Sequence, residues 1–579
     1  MTNSHHSLRP RIASATLVAQ ACLISLALQA WAVQAAEAPT PNAGSLLNEV
    51  RPVQPAAPAA TPRILTPDAT AADGADSAQQ GARFLLKRLV FTGNQALSTA
   101  QLQAHLQATF GTLEGSTVSM GQVRQMAASL TALYRSQGYP FSRVVVPQQD
   151  VTDGSLTLQA VEARLGKLQI NNQGRIGDAT LAQLGGAMQP GADITQDSLD
   201  RTLLLMSDLP GAQVQATIQP GTETGTSDLV VTHTTLPLFN ARATLDNHGN
   251  RNISRARAGL ALTWLNFSPV GDKASLDVIT SGGGLAYARG AYERWLTGSG
   301  LIGGVQASHL NYRLGEELSA LEANGKADTA GLWLRYPLQR TQRGSVFVQA
   351  GAEHLSLKDL VDSASVRNAR TITRANVSIN ADRRGLLGGA GQTSGSVQIT
   401  HGQVSFNDDL AQASDAATAQ TKGSFSKLEW AVSHRQAFSP VDELLLSITG
   451  QQASKNLDSS QKWVIGGPGS VRAFDNSVAS GDSGYTATAE WRRQVGAFHG
   501  PITASVFYDL GHVRFNHKRW AAVTGGHDVT IAGLGVGLSW TGRNSAVALS
   551  LATPTTGRRD PAMQGARTGV LWVSAVFQF

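Results

Sequence analysis

The chain has 579 residues, of which 15% are charged and 59 are glycine, and its formal net charge is +6 at pH 7. This mild positive balance over a long chain does not favour a nucleic-acid binder. The single cysteine, Cys22, lies in an N-terminal segment with the pattern of a secretory signal, so the mature chain has no thiol. Disulfides, cysteine-ligated zinc and a cysteine nucleophile are thereby excluded.

Residues 1–35 have the pattern of a signal peptide. Arg9 and Arg11 give a positive start, residues 13–30 are mostly apolar, and small residues follow. Cleavage after Ala32 and cleavage after Ala35 both fit, so the site stays open. No run of about 18 apolar residues follows, and we therefore expect an exported chain without a transmembrane helix.

Residues 36–80 have the composition of a linker. They are rich in alanine, proline, threonine and aspartate, which favours a flexible tether. The exception is the stretch of about 42–51, which is predicted to form a short helix that ends before Pro52.

Two modules follow, at residues 83–162 and 163–234, with the same order of elements. Each begins with a strand, continues with two helices and closes with two strands, which is typical of a repeated small α/β domain. The predicted elements of the first are strands 85–91, 142–146 and 155–161 with helices from Ser98 and from Ser119; those of the second are strands 165–171, 214–218 and 228–232 with helices from Asp178 and from Thr195.

Residues 235–579 have a different character. All tryptophans except Trp31 lie here, as the aromatic girdles of a membrane barrel would require. The segment contains sixteen stretches in which apolar and polar residues alternate, each about 10–14 residues long, the length of a tilted membrane strand. Short and long connections alternate between them, and the expected extracellular loops include residues 358–369 and a long sixth loop, 454–484. We predict a mainly β transmembrane barrel of sixteen antiparallel strands.

The predicted strand 501–514 carries an acid on its polar face. Phe507, Asp509 and Gly511 alternate with apolar residues, so Asp509 is expected to face a polar lumen rather than lipid. The sixth loop contains Val471-Arg472-Ala473-Phe474, and the planar guanidinium of Arg472 suits a carboxylate. We predict that the loop folds back into the barrel and is tethered by Arg472 to Asp509.

A neighbouring strand has three glycines on its predicted inner face. Gly533, Gly535 and Gly537 alternate with apolar residues and leave the lumen wall beside Asp509 without side chains. This pattern favours a seat for the folded-back loop. The alternative is that small residues simply fit a crowded interior.

These motifs resemble those of the transporter component of two-partner secretion, the haemolysin secretion/activation proteins. The resemblance covers nearly the whole mature chain and includes the loop tip, the Phe507, Asp509 and Gly511 strand and Asp208-Leu-Pro-Gly211. It implies a plug helix, a linker, two POTRA domains (residues 83–162 and 163–234) and a sixteen-stranded barrel. Ala473 departs from the family, which usually has glycine there. A positive φ at this position would strain alanine. Whether the helix near residues 42–51 is the plug or packs elsewhere stays open.

The resemblance implies an outer-membrane pore of a Gram-negative cell that exports a large partner exoprotein, an adhesin, haemolysin or contact-dependent toxin. The POTRA domains would recognise the partner in the periplasm. Further expectations are contact with outer-membrane lipids, insertion by the barrel-assembly machinery, a monomeric state and no nucleic-acid partner. The alternative within the same superfamily is a protein that assembles or inserts outer-membrane proteins.

An enzyme is not expected. Gly481-Asp482-Ser483-Gly484 matches the nucleophile region of chymotrypsin-like proteases, but it lies in the sixth loop and consists of common loop residues. The glycines from 533 to 537 have strand spacing without a following helix, so they do not form a dinucleotide loop. We therefore predict no catalytic residue, cofactor or metal site.

Overall fold

The computed structural model describes residues 40–51, 63–65, 83–223, 225–520, 526–557 and 569–579. The predicted signal peptide and most of the predicted linker lie outside these residues. Helix α1 (Ala43–Val50) and strand β1 (Arg63–Leu65) precede the first module. Among the described residues, no helix is both long and apolar enough to cross a membrane.

The first module has two helices, a three-stranded sheet in the order β3 (Arg88–Thr92), β6 (Ser155–Val161) and β5 (Arg143–Val145), and a small sheet of β2 (Arg83–Leu85) and β4 (Thr117–Ser119). Ser119 and Gln122 cap its second helix reciprocally, and Gly138 follows the helix with a φ of +90°. The predicted strand 85–91 is divided in two, because its first part pairs with β4 and its second with β6, while Leu86 between them is buried in the core. Its elements are β2 (Arg83–Leu85), β3 (Arg88–Thr92), α2 (Thr99–Phe110), β4 (Thr117–Ser119), α3 (Met120–Ser136), β5 (Arg143–Val145) and β6 (Ser155–Val161).

The second module repeats this order around its own apolar core. Its sheet has the order β1, β8 (Ala212–Pro220), β9 (Thr226–Thr235) and β7 (Arg164–Asn172), so strand β1 from the linker region lies at the edge beside β8. The two strands run parallel, with Ile64 opposite Ala216. The elements are β7 (Arg164–Asn172), α4 (Asp178–Gly185), α5 (Gln196–Ser207), β8 (Ala212–Pro220) and β9 (Thr226–Thr235).

The second module is bonded to one end of the barrel. Arg340 Nε and Nη2 donate to the two carboxylate oxygens of Asp208 at 2.7 and 2.6 Å. Asp200 accepts from the backbone and side chain of Gln342, both at 3.0 Å. These contacts join helix α5 and the residue after it to a short turn between two barrel strands, so the short turns lie on the module's side of the barrel.

The barrel is closed and antiparallel, and it contains sixteen strands. This confirms the predicted fold class. Apolar residues such as Val506, Leu534 and Leu538 are about half exposed on its outside. The strands are β10 (Phe239–Asp246), β11 (Arg257–Leu265), β12 (Asp272–Ser281), β13 (Leu285–Trp295), β14 (Ile302–Arg313), β15 (Ala323–Thr341), β16 (Gly344–Val361), β17 (Val366–Arg384), β18 (Gln392–Phe406), β19 (Gly423–Ala437), β20 (Asp442–Ala453), β23 (Ser483–Ala497), β24 (Pro501–Arg514), β25 (Asp528–Thr541), β26 (Ser545–Thr556) and β27 (Val570–Gln578).

Strands β15, β16 and β17 contain 19, 18 and 19 residues, more than membrane crossing requires. The expected loop 358–369 is therefore mostly wrong, since only residues 362–365 connect β16 to β17. Loop five contains helix α6 (Asp409–Ala417), and loop six contains the short strands β21 (Trp463–Ile465) and β22 (Ala479–Gly481). The longer strands extend the wall beyond the membrane on the extracellular side.

Candidate functional site

The tip of the sixth loop lies inside the barrel against strand β24. Arg472 Nε donates to Asp509 Oδ2 and Arg472 Nη2 to Asp509 Oδ1, both at 2.8 Å, which is a bidentate pair. The backbone nitrogen of Arg472 also donates to Asp509 Oδ2, at 3.1 Å. The Asp509 side chain is 1% exposed, so these bonds form out of contact with bulk solvent.

Three residues that the sequence did not indicate complete the environment of Arg472. Glu490 Oε2 accepts from Arg472 Nη1 at 2.8 Å, and Thr488 Oγ1 donates to Asp509 Oδ1 at 2.9 Å. The indole of Trp572 donates to the Arg472 carbonyl at 2.7 Å. Glu490 and Thr488 lie on the lumen face of β23, opposite Phe507 and Asp509, so alternation along that strand could have identified them.

The Phe507 ring supports the same guanidinium. The Arg472 Cζ atom lies 3.3 Å from the centre of this ring, in cation–π geometry. A β-carbon at Gly535 would overlap the Phe507 ring, and one at Gly537 would lie 2.5 Å from Ser505 Oγ. These two glycines therefore make room for side chains of β24, not for the loop as the glycine pattern suggested.

The loop itself lies on Gly533 and Gly511. A β-carbon at Gly533 would overlap the methyl group of Ala473, and one at Gly511 would lie 2.8 Å from a methyl of Val471. Val471, Ala473 and Phe474 are each at most 2% exposed and join one apolar cluster with the barrel wall. Ala473 is not among the described residues with positive φ, so its departure from the family glycine carries no backbone strain.

Helix α1 lies in the lumen against the opposite wall. Asn42 and Ser45 form a capping box at its start. The Ala43 backbone nitrogen donates to Asp359 Oδ1 of strand β16 at 2.7 Å, and Arg51 Nη2 donates to Glu353 Oε1 at 3.0 Å. Both ends of the helix are thus bonded to one barrel strand.

The apolar face of α1 is buried. Leu46, Leu47 and Val50 are at most 5% exposed, and full burial of such side chains contributes about 1.5–3 kcal/mol each. They form one buried apolar cluster with inner-wall residues that we call the lumen patch: Leu285, Tyr287, Leu310, Tyr312, Leu355, Leu357, Ile372, Val404 and Phe425. Helix α1 is therefore held mainly by apolar burial.

Sequence reasoning missed the lumen patch, although a signal for it exists. In β17, Val377 faces outward and is 54% exposed, whereas Ile372, an odd number of positions away, is fully buried on the inner face. Strand β18 has the same relation between Val397 and Val404. The apolar residues thus change face along each of these two strands. They point outward to lipid within the membrane and inward to the lumen beyond it.

A cavity of about 640 Å³ lies below the loop tip. Its lining includes Arg472, Glu490 and Trp572 at the tip and Pro440 and Asp442 at a short turn of the barrel. The cavity therefore reaches from a short turn of the barrel up to the loop tip.

The serine and aspartate of the protease-like motif are hydrogen-bonded to nearby backbone groups. Ser483 Oγ accepts from the Ala453 backbone at 3.1 Å, and Asp482 accepts from the backbones of Leu457 and His517 at 3.0 and 2.7 Å. Within the part of the chain that the structure describes, no three His, Cys, Asp or Glu side chains are placed to hold a metal ion.

A closed sixteen-stranded barrel that contains two segments of its own chain and follows two small α/β domains has the form of an outer-membrane transporter. Comparison with known families agrees with this class. Residues 225–540 match the haemolysin secretion/activation protein family, ShlB/FhaC/HecB, and residues 84–163 match the ShlB-type POTRA domain. The chain belongs to this family.

Individual relatives are distant but cover most of the chain. The heme/hemopexin transporter protein HuxB of Haemophilus influenzae is 24% identical over 84% of this chain and 85% of the relative. The outer membrane transporter CdiB of Dickeya dadantii is 24% identical over 86% and 88%. The solved structure of CdiB from Escherichia coli, at 19% identity, covers 100% of both chains with a TM-score of 0.70, which supports the fold.

Membership fixes the general role and place of the protein. It is a two-partner secretion transporter of the Gram-negative outer membrane, with POTRA domains in the periplasm, and its family translocates partner proteins. The end of the barrel with short turns therefore faces the periplasm.

Proposed function

We propose that this chain exports one large partner exoprotein through its barrel lumen, from the periplasm to the cell surface. The observation that carries this proposal is that α1 and the sixth-loop tip both lie in the lumen, held only by non-covalent contacts. Both contacts are reversible, and removal of α1 would widen the path. Folding of the partner outside the cell would make its export directional. The chain itself acts without catalysis.

The POTRA domains are proposed to recognise the partner. Strand β1 pairs with β8 through residues 63–65, so this edge of the second domain's sheet accepts an added parallel strand. An extended segment of the partner would bind a sheet edge in the same way, with backbone hydrogen bonds for affinity and side-chain pockets for selectivity.

The pair of Arg472 and Asp509 is proposed to hold the sixth loop in its resting position. The arginine makes three hydrogen bonds to this carboxylate and lies on the Phe507 ring, so removal of either side chain frees the loop tip. A displaced tip would no longer define the wall along which the partner passes.

The test is export of the large partner exoprotein of this transporter. Cells with Arg472→Ala or Asp509→Ala are expected to release less exoprotein into the medium than cells with the unaltered chain. Barrel insertion, followed by heat-modifiable migration in gels, is expected to stay intact. Arg492→Gln is the matched control, because Arg492 bonds Glu490 at the margin of the site and does not contact Asp509.

Normal export by both alanine variants would refute the tether. Loss of other outer-membrane proteins from cells that lack this chain, without any effect on the exoprotein, would instead indicate the assembly function.

A further inference from the structure

The lumen patch is a continuous apolar surface near the extracellular end of the barrel. Tyr287 pairs with Leu310 across neighbouring strands, and Leu310 pairs with Ala327. In the neighbouring row of inward-facing residues, Leu355 pairs with Ile372 and Ile372 with Val404. The patch thus extends over strands β13 to β19, in rows that follow the strand pairing.

The outer surface of the barrel at this height is polar. His309, His354 and His401 alternate with patch residues along their strands and are exposed. The strands here have therefore passed beyond the hydrocarbon layer, and their apolar face points inward. Neither lipid nor a second copy of the barrel can cover a surface inside a closed wall.

Loop residues of the barrel itself, Ile253, Leu314 and Leu457, belong to the same cluster, and two further kinds of occupant can reach the patch from the lumen. One is helix α1, whose Leu46, Leu47 and Val50 are buried in the same cluster and which contacts strands β14 to β16. The other is a polypeptide that passes through the lumen. If α1 leaves, the part of the patch that it covers is exposed to water in the lumen unless apolar side chains replace those of α1.

We propose that the lumen patch binds apolar side chains of the exported polypeptide after α1 has left. This inference rests on the proposed export function. The occupant is a segment with two or three apolar side chains at close spacing, as in Leu46, Leu47 and Val50, in a chain whose backbone can bond polar groups such as Asp359 at the patch margin. Because the lumen patch lies near the exit, it would retain emerging segments and oppose their return to the periplasm.

The first arm measures export in full-length variants. Leu47→Ser weakens only α1, whereas Leu355→Ser alters the wall; both are expected to increase the conductance of purified protein in planar bilayers. Per folded barrel, Leu355→Ser is expected to export about tenfold less exoprotein than Leu47→Ser, the factor expected for one lost apolar contact. Equal export by the two variants would overturn the proposal, because the patch would then only hold α1.

Ile372→Thr provides a second wall variant that keeps a β-branched side chain suited to a strand. Asn376→Ser is its matched control on the same strand and face, outside the patch. A reduction for Ile372→Thr but not for Asn376→Ser supports the patch, and equal values for both contradict it. Folded barrel is quantified by heat-modifiable migration in every case.

The second arm does not depend on export. A short glycine–serine peptide that carries two leucines is expected to reduce the current of Leu47→Ser pores, but not of Leu47→Ser/Leu355→Ser pores. The same peptide without leucines should leave both currents unchanged. Equal block of the two pores, or no block of either, would refute the patch. Absence of exoprotein export by the unaltered chain would refute the proposed function alone.

Discussion

Helix α1 and the tip of the sixth loop both lie in the barrel lumen, but they are held by different kinds of contact. The tip adds to its buried apolar side chains one guanidinium that bonds Asp509 and Glu490 and lies on an aromatic ring. Helix α1 buries three apolar side chains against the lumen patch and has polar bonds mainly at its ends.

The difference indicates how each contact responds to perturbation. A bidentate buried pair depends on the position of two side chains, so a single substitution removes it. Apolar burial is spread over many atoms and lacks direction, so a helix held in this way can be replaced by another apolar segment. The loop contact is therefore suited to a fixed resting position, and the helix contact to exchange.

Asp509→Ala should have the largest effect on the loop. It leaves the Arg472 guanidinium in a largely enclosed site with Glu490 alone, and we expect the tip to be destabilised by about 3 kcal/mol. Amide hydrogen exchange at residues 471–474 in the purified protein measures this opening. Asp475→Asn is the control, because Asp475 bonds Arg255 at a more exposed position. Unchanged exchange in Asp509→Ala would contradict the assigned role of the pair.

Leu47→Ser should weaken α1 by about 2–3 kcal/mol, because it removes a side chain that is 1% exposed from the apolar contact. The expected observation is more frequent open pores in planar bilayers without any partner protein. Asn48→Ala on the same helix is the control, since Asn48 makes one long bond of 3.4 Å to Ser459. If the control opens as often as Leu47→Ser, apolar burial is not the main hold on the helix.

Gly533→Ala should displace the loop tip by about 1–3 kcal/mol, because the new methyl group would overlap that of Ala473. Exchange at residues 471–474 again measures the effect. Gly537→Ala is the control, since its methyl group would come close only to the Ser505 side-chain oxygen, which can move by rotation of that side chain, and would lie at an ordinary 3.6 Å from the Leu549 carbonyl. Addition of Ala473→Gly to Gly533→Ala should restore protection, and failure to do so would show that the two residues are not in contact.

Ala473→Gly alone should have the smallest effect. It restores the usual family residue but removes a buried methyl group at a position without positive φ, so we expect a loss of about 1 kcal/mol in the stability of the anchored tip. We expect faster hydrogen exchange at the tip and an unchanged pore conductance. Slower exchange would mean that the glycine backbone fits better here.

Much of the fold could be predicted from local sequence. Alternation with a period of two located all sixteen barrel strands, and the capping residues Ser119 and Thr195 marked the start of their helices. The prediction of a loop at residues 358–369 was wrong, because the strand continues beyond the membrane. There its apolar residues lie on the inner face instead of the outer one. The sequence pattern assigned the three glycines of this strand to one seat for the loop. In the structure Gly533 contacts the loop, whereas Gly535 contacts Phe507.

The sequence by itself determined the strands, the two modules and the candidates Arg472 and Asp509, because each is encoded by residues close together in the chain. Only the tertiary structure decided that Glu490, Thr488 and Trp572 surround Arg472, and that Leu47, Leu355 and Ile372 belong to one buried apolar cluster. Closure of the barrel is the physical reason. It brings residues from distant strands to a shared lumen, and local periodicity cannot specify which of them meet there.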